Sequence, residues 1–163
     1  MKVFSPCISL LQEPVMDCIK ITIKQESVDG GAIFIKVQIN ENDLTGILNV
    51  GAFFAIKQKN ELVPLFTCGC GDFGCRGYYV NVSCTETAFI LRNGYNRFNQ
   101  SLESKFEYQL DWQQVRDVAV EILTYLEKIY ERNPRAFITT GYFQDNLIDH
   151  LTDFRQSFLM VPR

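Results

Sequence analysis

Two stretches near the N-terminus alternate strictly between apolar and polar residues, and this pattern constrains the fold more than any other feature. Isoleucine alternates with lysine or threonine over residues 19–24, and apolar residues occupy every other position from Ile33 to Ile39. A period of two with β-branched residues is typical of half-buried strands. Asp29-Gly30 between them favours a tight turn, because both positions tolerate positive φ. The sequence therefore predicts an antiparallel hairpin from about Cys18 to Asn40.

More strands are expected in the middle of the chain and two helices after them. The predicted strands are Leu62–Thr67, Tyr78–Cys84, Thr87–Leu91 and Lys105–Leu110, with a strand or a short helix within 44–56. Helical spacing of apolar residues predicts a helix from Asp111 to about Glu131 and a second from about Tyr142 to Gln156. Asp111 is expected to cap the first helix, with Gln114 completing a capping box.

Strands followed by helices predict an α+β fold, an antiparallel β-sheet with two C-terminal helices packed on one face. At 163 residues the chain is expected to form a single domain, 1–163. Its β-rich part would span about 15–110 and its helical part about 111–158. A signal peptide and a membrane-spanning stretch are not evident in the sequence, which predicts a cytoplasmic protein.

Composition narrows the classes of partner. The chain carries a formal net charge of −3, so it does not attract a phosphate backbone, and nucleic-acid binding is disfavoured. A basic protein partner is compatible with this charge. Aromatic residues make up 13% of the chain, enough for aromatic packing in the core or for an aromatic contact surface.

The segment from Cys68 to Gly77 holds three cysteines and four glycines. In a cytoplasmic protein such cysteines are expected to be reduced, metal-bound or catalytic. One hypothesis is a zinc site, with Cys68, Cys70 and Cys75 as thiolate ligands and Cys84, Asp72 or His150 as the fourth. The alternative is a close-packed glycine turn with buried thiols and no metal, and a disulfide within the cluster is a third possibility. We favour the close-packed turn, with no cofactor, because the spacing is not the usual pair of Cys-x-x-Cys knuckles and a second knuckle is lacking.

Catalytic constellations are not evident. A nucleophilic cysteine needs a base, and His150 is the single histidine. The Gly-x-Gly at Gly69 leads into a predicted strand rather than a helix, so it is not a phosphate-binding loop. The sequence therefore favours a binding protein over an enzyme.

Two surfaces are candidates for binding. A long polar loop is predicted between the last two strands, and it carries aromatic and arginine side chains of the kinds enriched at binding hot spots. These residues are Arg92, Tyr95, Arg97 and Phe98. The second candidate is an acidic stripe on the second helix, formed by Asp145, Asp149 and Asp153 at intervals of four. A basic partner could contact this stripe.

The run from Leu65 to Gly77 resembles a motif of small bacterial proteins of unassigned function, in which a C-x-C-G-x-x-G-C loop joins two strands. The resemblance covers about residues 40–110 and implies no activity. In general character the chain is also similar to immunity proteins, which neutralise bacterial toxins by direct binding. The functional hypothesis is therefore a protein that binds and inhibits a partner, such as a basic toxin domain. The alternative is a small protein or enzyme that depends on zinc held by the Cys68/Cys70/Cys75 loop.

Overall fold

The computed structural model describes residues 15–25, 33–56, 60–69 and 72–134, the backbone of 137–139 and 144–146, and Thr152 and Gln156. Ten strands and three helices are defined in this part of the chain. The strands are β1 (Ile19–Gln25), β2 (Ile33–Ile39), β3 (Asn42–Asp43), β4 (Ile47–Leu48), β5 (Asn60–Thr67), β6 (Tyr78–Cys84), β7 (Ala88–Asn96), β8 (Leu102–Asp111), β9 (Phe137–Thr139) and β10 (Gln144–Asn146). The helices are α1 (Val50–Phe54), α2 (Phe73–Arg76) and α3 (Trp112–Arg132).

The described strands form two five-stranded sheets, where the sequence had predicted one. The first sheet has the order β1-β2-β9-β10, with β3 also paired to β2. The second has the order β4-β5-β6-β7-β8. Neighbouring strands are antiparallel except for β2 and β9, which run parallel. The α+β class with antiparallel sheets is thus confirmed, and so is the N-terminal hairpin of β1 and β2.

Helix α3 lies against both sheets and completes the core. Its N-cap is Asp111, whose carboxylate accepts a hydrogen bond from the Gln113 N–H at 2.5 Å. The helix ends at Arg132, with Asn133 as its C-cap and Pro134 directly after it, close to the predicted end at about Glu131. Its apolar face belongs to one buried cluster with residues from both sheets, including Ile35 of β2 and Val82 of β6. The buried positions on α3 are Val115, Val118, Ala119, Ile122, Leu123, Leu126 and Ile129.

Asp17 joins the three parts of the fold where the two sheets meet. Its carboxylate accepts from the Asn40 side chain at 2.5 Å and from the Gln109 N–H of β8 at 2.6 Å. Its own N–H donates to the Gln109 carbonyl at 2.8 Å. Its carbonyl accepts from the side chain of Gln114, on α3, at 2.9 Å. Gln114 therefore binds the N-terminal segment and does not complete the capping box that its spacing predicts.

The C-terminal region departs from the prediction of two helices. Only one C-terminal helix, α3, is clear, and Gln144–Asn146 forms strand β10 inside the stretch predicted as the second helix. β10 pairs with β9, and Ile138 of β9 pairs in turn with Ile33 of β2. Strand pairing here overrides a helical spacing of apolar residues. Most of the remaining predicted helix lies outside the described residues, although Thr152 and Gln156 are helical.

Candidate functional site

The candidate loop after residue 91 is mostly strand. β7 continues to Asn96 and β8 begins at Leu102, so the connection is only the short tip between them. The strand can continue because the register shifts on both sides of Gly94, and because Asn93 takes a left-handed conformation with φ of 57°. The Asn93 side chain accepts from the Phe106 N–H of β8 at 3.2 Å. The prediction of a long loop between Leu91 and Lys105 was therefore wrong in its length.

Asn96 organises the hairpin tip through side-chain and backbone hydrogen bonds. Its side-chain oxygen accepts from the Phe98 N–H at 2.8 Å and from the Asn99 N–H at 3.3 Å. Its side-chain amide donates to Glu103 at 2.5 Å. Its backbone N–H donates to the Ser101 carbonyl at 2.8 Å. These bonds fix the backbone of the tip in one geometry, which lowers the entropy lost when a partner binds it.

Phe98 is the large apolar side chain that this tip presents to solvent. It is 77% exposed. The guanidinium carbon of Arg97 lies 4.0 Å from the centre of the Phe98 ring, a cation–π arrangement. The Nε atom of Arg97 is buried and has no hydrogen-bond partner in the structure.

Arg92 and Tyr95 support the tip from the adjacent strand. Arg92 forms an ion pair with Glu107 of β8, with 2.7 Å between Nε and Oε2. Tyr95 lies opposite Leu102 of β8, and Leu102 is 46% exposed. Directly opposite residues of an antiparallel pair project from the same face, so Tyr95 and Leu102 adjoin the tip. We call Tyr95, Arg97, Phe98 and Leu102 the hairpin-tip surface.

Sequence reasoning missed two members of this region. Leu102 was omitted because it lies in a polar stretch, where a lone leucine carries no periodic signal. Asn96 was omitted because its role depends on backbone groups that the turn brings to it. The Asn-x-x-Asn spacing of Asn96 and Asn99 could have indicated a turn, since asparagine side chains often accept from N–H groups two residues later.

The Cys/Gly segment folds back against the second sheet through Phe73. Phe73 begins α2 and is 0% exposed, and its ring meets Tyr79 edge-on with 5.2 Å between centroids. Asp72 caps α2 by accepting from the Gly74 N–H at 2.8 Å. At Gly77 an added Cβ would stand 2.6 Å from the Phe73 carbonyl oxygen, so this glycine permits the close approach. These contacts pack α2 against the second sheet.

Among the described residues, the cysteines do not form a zinc site. Cys68 is disulfide-bonded, which removes one of the proposed thiolates and corrects, for this residue, the expectation of a reduced, metal-bound or catalytic cysteine. Cys18, Cys75 and Cys84 are free, and Cys75 is exposed on α2. Within the described residues, His, Cys, Asp and Glu side chains form no group of three that could hold a metal ion. Cys70 and His150 lie outside the described residues.

Cys84 occupies a different environment from the Cys/Gly segment. It lies at the end of β6, opposite Phe89, and is half-buried against the core. Burial, and then the nearby Glu61 carboxylate, raises the pKa of Cys84 from 9.0 to about 11. This thiol is therefore protonated at neutral pH and is a weak nucleophile.

The acidic stripe is not built as predicted. Asp145 lies in strand β10, so a spacing of four residues does not place it on a common helical face with Asp149 and Asp153. Asp149 and Asp153 lie outside the described residues.

Comparisons with known proteins found no match among protein-family models, curated proteins or solved structures. In the part of the chain that the structure describes, none of the helices is both long and apolar enough to cross a membrane. The function proposed below therefore rests on the residues of the site.

Proposed function

We propose that this protein binds and inhibits another protein through the hairpin-tip surface, and that it acts as a binding protein rather than an enzyme. The observation that carries the proposal is the exposed Phe98, stacked on Arg97 at a tip held by Asn96. Aromatic and arginine side chains are enriched among residues that dominate binding energy. Their fixed backbone favours binding because little ordering remains when a partner docks.

The partner class we propose is a basic toxin domain, in the manner of an immunity protein. The net charge of −3 attracts a basic protein surface before the two proteins touch. The stacked Arg97 and Phe98 act at contact distance and fit an apolar pocket with a nearby acceptor. Net charge thus affects the association rate, while the tip provides the short-range contacts.

The proposal is tested by capturing the partner from the native cell and measuring its affinity with purified variants. Phe98→Ala is expected to raise the Kd at least about tenfold, since it removes the central exposed aromatic. Arg97→Lys keeps the charge but loses the planar stacking group, so it is expected to weaken binding as well. The toxin form of the proposal also requires that the captured partner lose its activity when the wild-type protein binds.

Val120→Ala is the matched control, because Val120 is 61% exposed and lies on α3 instead of the tip. Its Kd is expected to stay within about twofold of wild type. A partner whose affinity is equally insensitive to Phe98→Ala, Arg97→Lys and Val120→Ala would exclude the hairpin-tip surface. Failure to recover any partner would count against the binding function itself.

A further inference from the structure

Strand β1 is an edge of the first sheet, and the outer backbone groups of Ile21 and Ile23 have no partner among the described residues. The Cys18 carbonyl accepts from Asn40 on the β2 side, at 2.9 Å. The N–H of the next residue, Ile19, turns the other way and donates to the Gln114 side chain at 3.1 Å. Because backbone groups alternate along a strand, the N–H and C=O of Ile21 and Ile23 point away from β2.

An open depression lies between β1 and α3. Helix α3 contacts β1 but leaves an open depression of about 400 Å³ next to it. The depression is lined by Ile23 of β1 and by Glu121, Thr124, Tyr125 and Lys128 of α3. An apolar side chain entering there would meet Ile23 and the Tyr125 ring. The opposite charges of Glu121 and Lys128 offset each other.

One face of the β1–β2 hairpin carries three exposed lysines beside the buried Phe34, although the whole chain is acidic. Lys20 and Lys24 lie on this face of β1, and both are exposed. Lys36 of β2 is also exposed and lies opposite Thr22, between the two lysines of β1. None of the three lysines forms an ion pair with any residue that the structure describes. We call these three residues the lysine face.

We propose that the β1 edge binds an extended acidic segment of a partner protein, which adds to the first sheet as a new strand. The Ile21 and Ile23 backbone groups would bond the added strand. Acidic side chains at alternate positions would face Lys20 and Lys24, and the intervening apolar side chains would face the depression. This surface is separate from the hairpin-tip surface, and the inference does not depend on the proposed function.

Charge and backbone geometry select this occupant over two others. A second copy of the chain pairing antiparallel about Thr22 would place Lys20 of one copy opposite Lys24 of the other, which is repulsive. A nucleic acid could meet the lysines, but it cannot satisfy a row of alternating N–H and C=O groups as a polypeptide backbone does. A strand with alternating acidic and apolar residues meets both requirements.

The experiment uses a short soluble peptide that alternates Glu and Val, titrated into the full chain while the amide signals are followed by NMR. We expect the Ile21 and Ile23 amides to shift and to become protected from hydrogen exchange, because they acquire hydrogen-bond acceptors. Lys20→Glu/Lys24→Glu is expected to weaken binding about tenfold, and a peptide alternating Lys and Val is expected to bind this variant better than the wild type.

Two controls separate strand addition from simple charge attraction. A peptide of the same sequence, N-methylated at alternate positions to remove the ladder donors, is expected to bind at least about tenfold more weakly. Lys105→Glu, an exposed charge reversal on β8, is expected to leave the peptide affinity within about twofold. Equal binding of the methylated peptide, unprotected Ile21 and Ile23 amides, or equal affinity for a single-stranded oligonucleotide would each overturn the inference.

Discussion

At the scale of single residues, Gly77 lies where the chain leaves α2 and enters β6. A Cβ there would stand 2.6 Å from the Phe73 carbonyl oxygen and 2.8 Å from the Phe73 Cα, both backbone atoms that cannot rotate away. Gly77→Ala is therefore expected to lower the free energy of unfolding by about 1–3 kcal/mol, as overpacking does. Urea unfolding followed by Trp112 fluorescence measures this, since Trp112 is the single tryptophan.

Gly69→Ala is the matched control from the same segment. An added Cβ at Gly69 meets nothing within 4 Å, so the change in unfolding free energy is expected to be below about 0.5 kcal/mol. Equal losses for the two variants would contradict the close-packed role of Gly77. The sequence predicts a turn that depends on glycine. That position 77 in particular requires glycine depends on where the Phe73 backbone lies, and residue spacing does not reveal this.

The Cys84 thiol makes the stability of the folded protein depend on pH. Its pKa is raised to about 11 in the folded protein by burial and by Glu61, above the ordinary value of 9.0. Its contribution to stability is therefore fully present below about pH 9 and is lost as the pH rises through 11. Burial, with Tyr108, also raises the pKa of Tyr78, which acts in the same direction.

We expect Cys84→Ser to flatten the loss of stability between these pH values, because serine does not titrate there. Urea unfolding at a series of pH values measures the effect. At neutral pH, iodoacetamide is expected to alkylate the exposed Cys18 and Cys75 before Cys84, as mass spectrometry of the peptides would show. Cys84 reacting first would contradict the environment described for it.

At the scale of elements, the start of α3 depends on its cap. The Asp111 carboxylate accepts from the Gln113 N–H at 2.5 Å. Asp111→Ala is expected to lower the free energy of unfolding by about 1 kcal/mol, because the first turn loses an acceptor. Asp111→Asn keeps a side-chain acceptor and is expected to stay close to wild type in the same urea titration. If both variants lost the same amount, the carboxylate's charge rather than its capping bond would be responsible.

The strands were the most predictable elements, because alternating apolar residues reflect the burial of one sheet face. Tyr78–Cys84 was predicted with the bounds that the structure has. The β7–β8 hairpin was predicted too short because Asn93 and Gly94 look like loop residues. In the structure Asn93 is left-handed, and the register shifts on both sides of Gly94 within paired strands. Gln114 fits a capping box by spacing, but its partners Asp17 and Ile19 become visible only in three dimensions.

The stretch around Gln144–Asn146 shows the limit of helical spacing as a signal. Apolar residues at intervals of three and four predicted a helix, yet the segment pairs with Phe137–Thr139. Short strands contain too few residues to produce a period of their own. Their pairing depends on a nearby edge, here that of β2, which contacts β9.

At the scale of the whole molecule, Asp17 determines how the two sheets meet. Asp17→Ala removes acceptors from Asn40 and from the part-buried Gln109 N–H, so a loss of about 2 kcal/mol in unfolding free energy is expected. Asp43→Ala, which removes one exposed bond to Gln38, is the control and is expected to lose less than about 0.5 kcal/mol. Similar losses would show that the Asp17 carboxylate does not help to hold the two sheets together in solution.

The same urea titration addresses the prediction of a single domain. Trp112 reports on the start of α3, and far-ultraviolet circular dichroism reports on all strands and helices. Because both sheets and α3 share one buried cluster, the two signals are expected to change at the same urea concentration. Two separated transitions would indicate that the sheets unfold independently. The sequence could predict that a shared core exists, but not that its strands divide into two sheets, since pairing partners are not encoded in periodicity.

Asp17 also bears on the order of events while the chain is being made. It forms hydrogen bonds with Gln109 and Gln114, which lie 92 and 97 positions further along the chain. During synthesis the β1–β2 hairpin leaves the ribosome long before Gln109 and Gln114 exist, so it has only its local pairing and the bond to Asn40. The apolar face of Ile19, Ile21 and Ile23 stays uncovered through that interval. Arrival of α3 is therefore the step that ends the exposure of the nascent N-terminal sheet to chaperones and proteases.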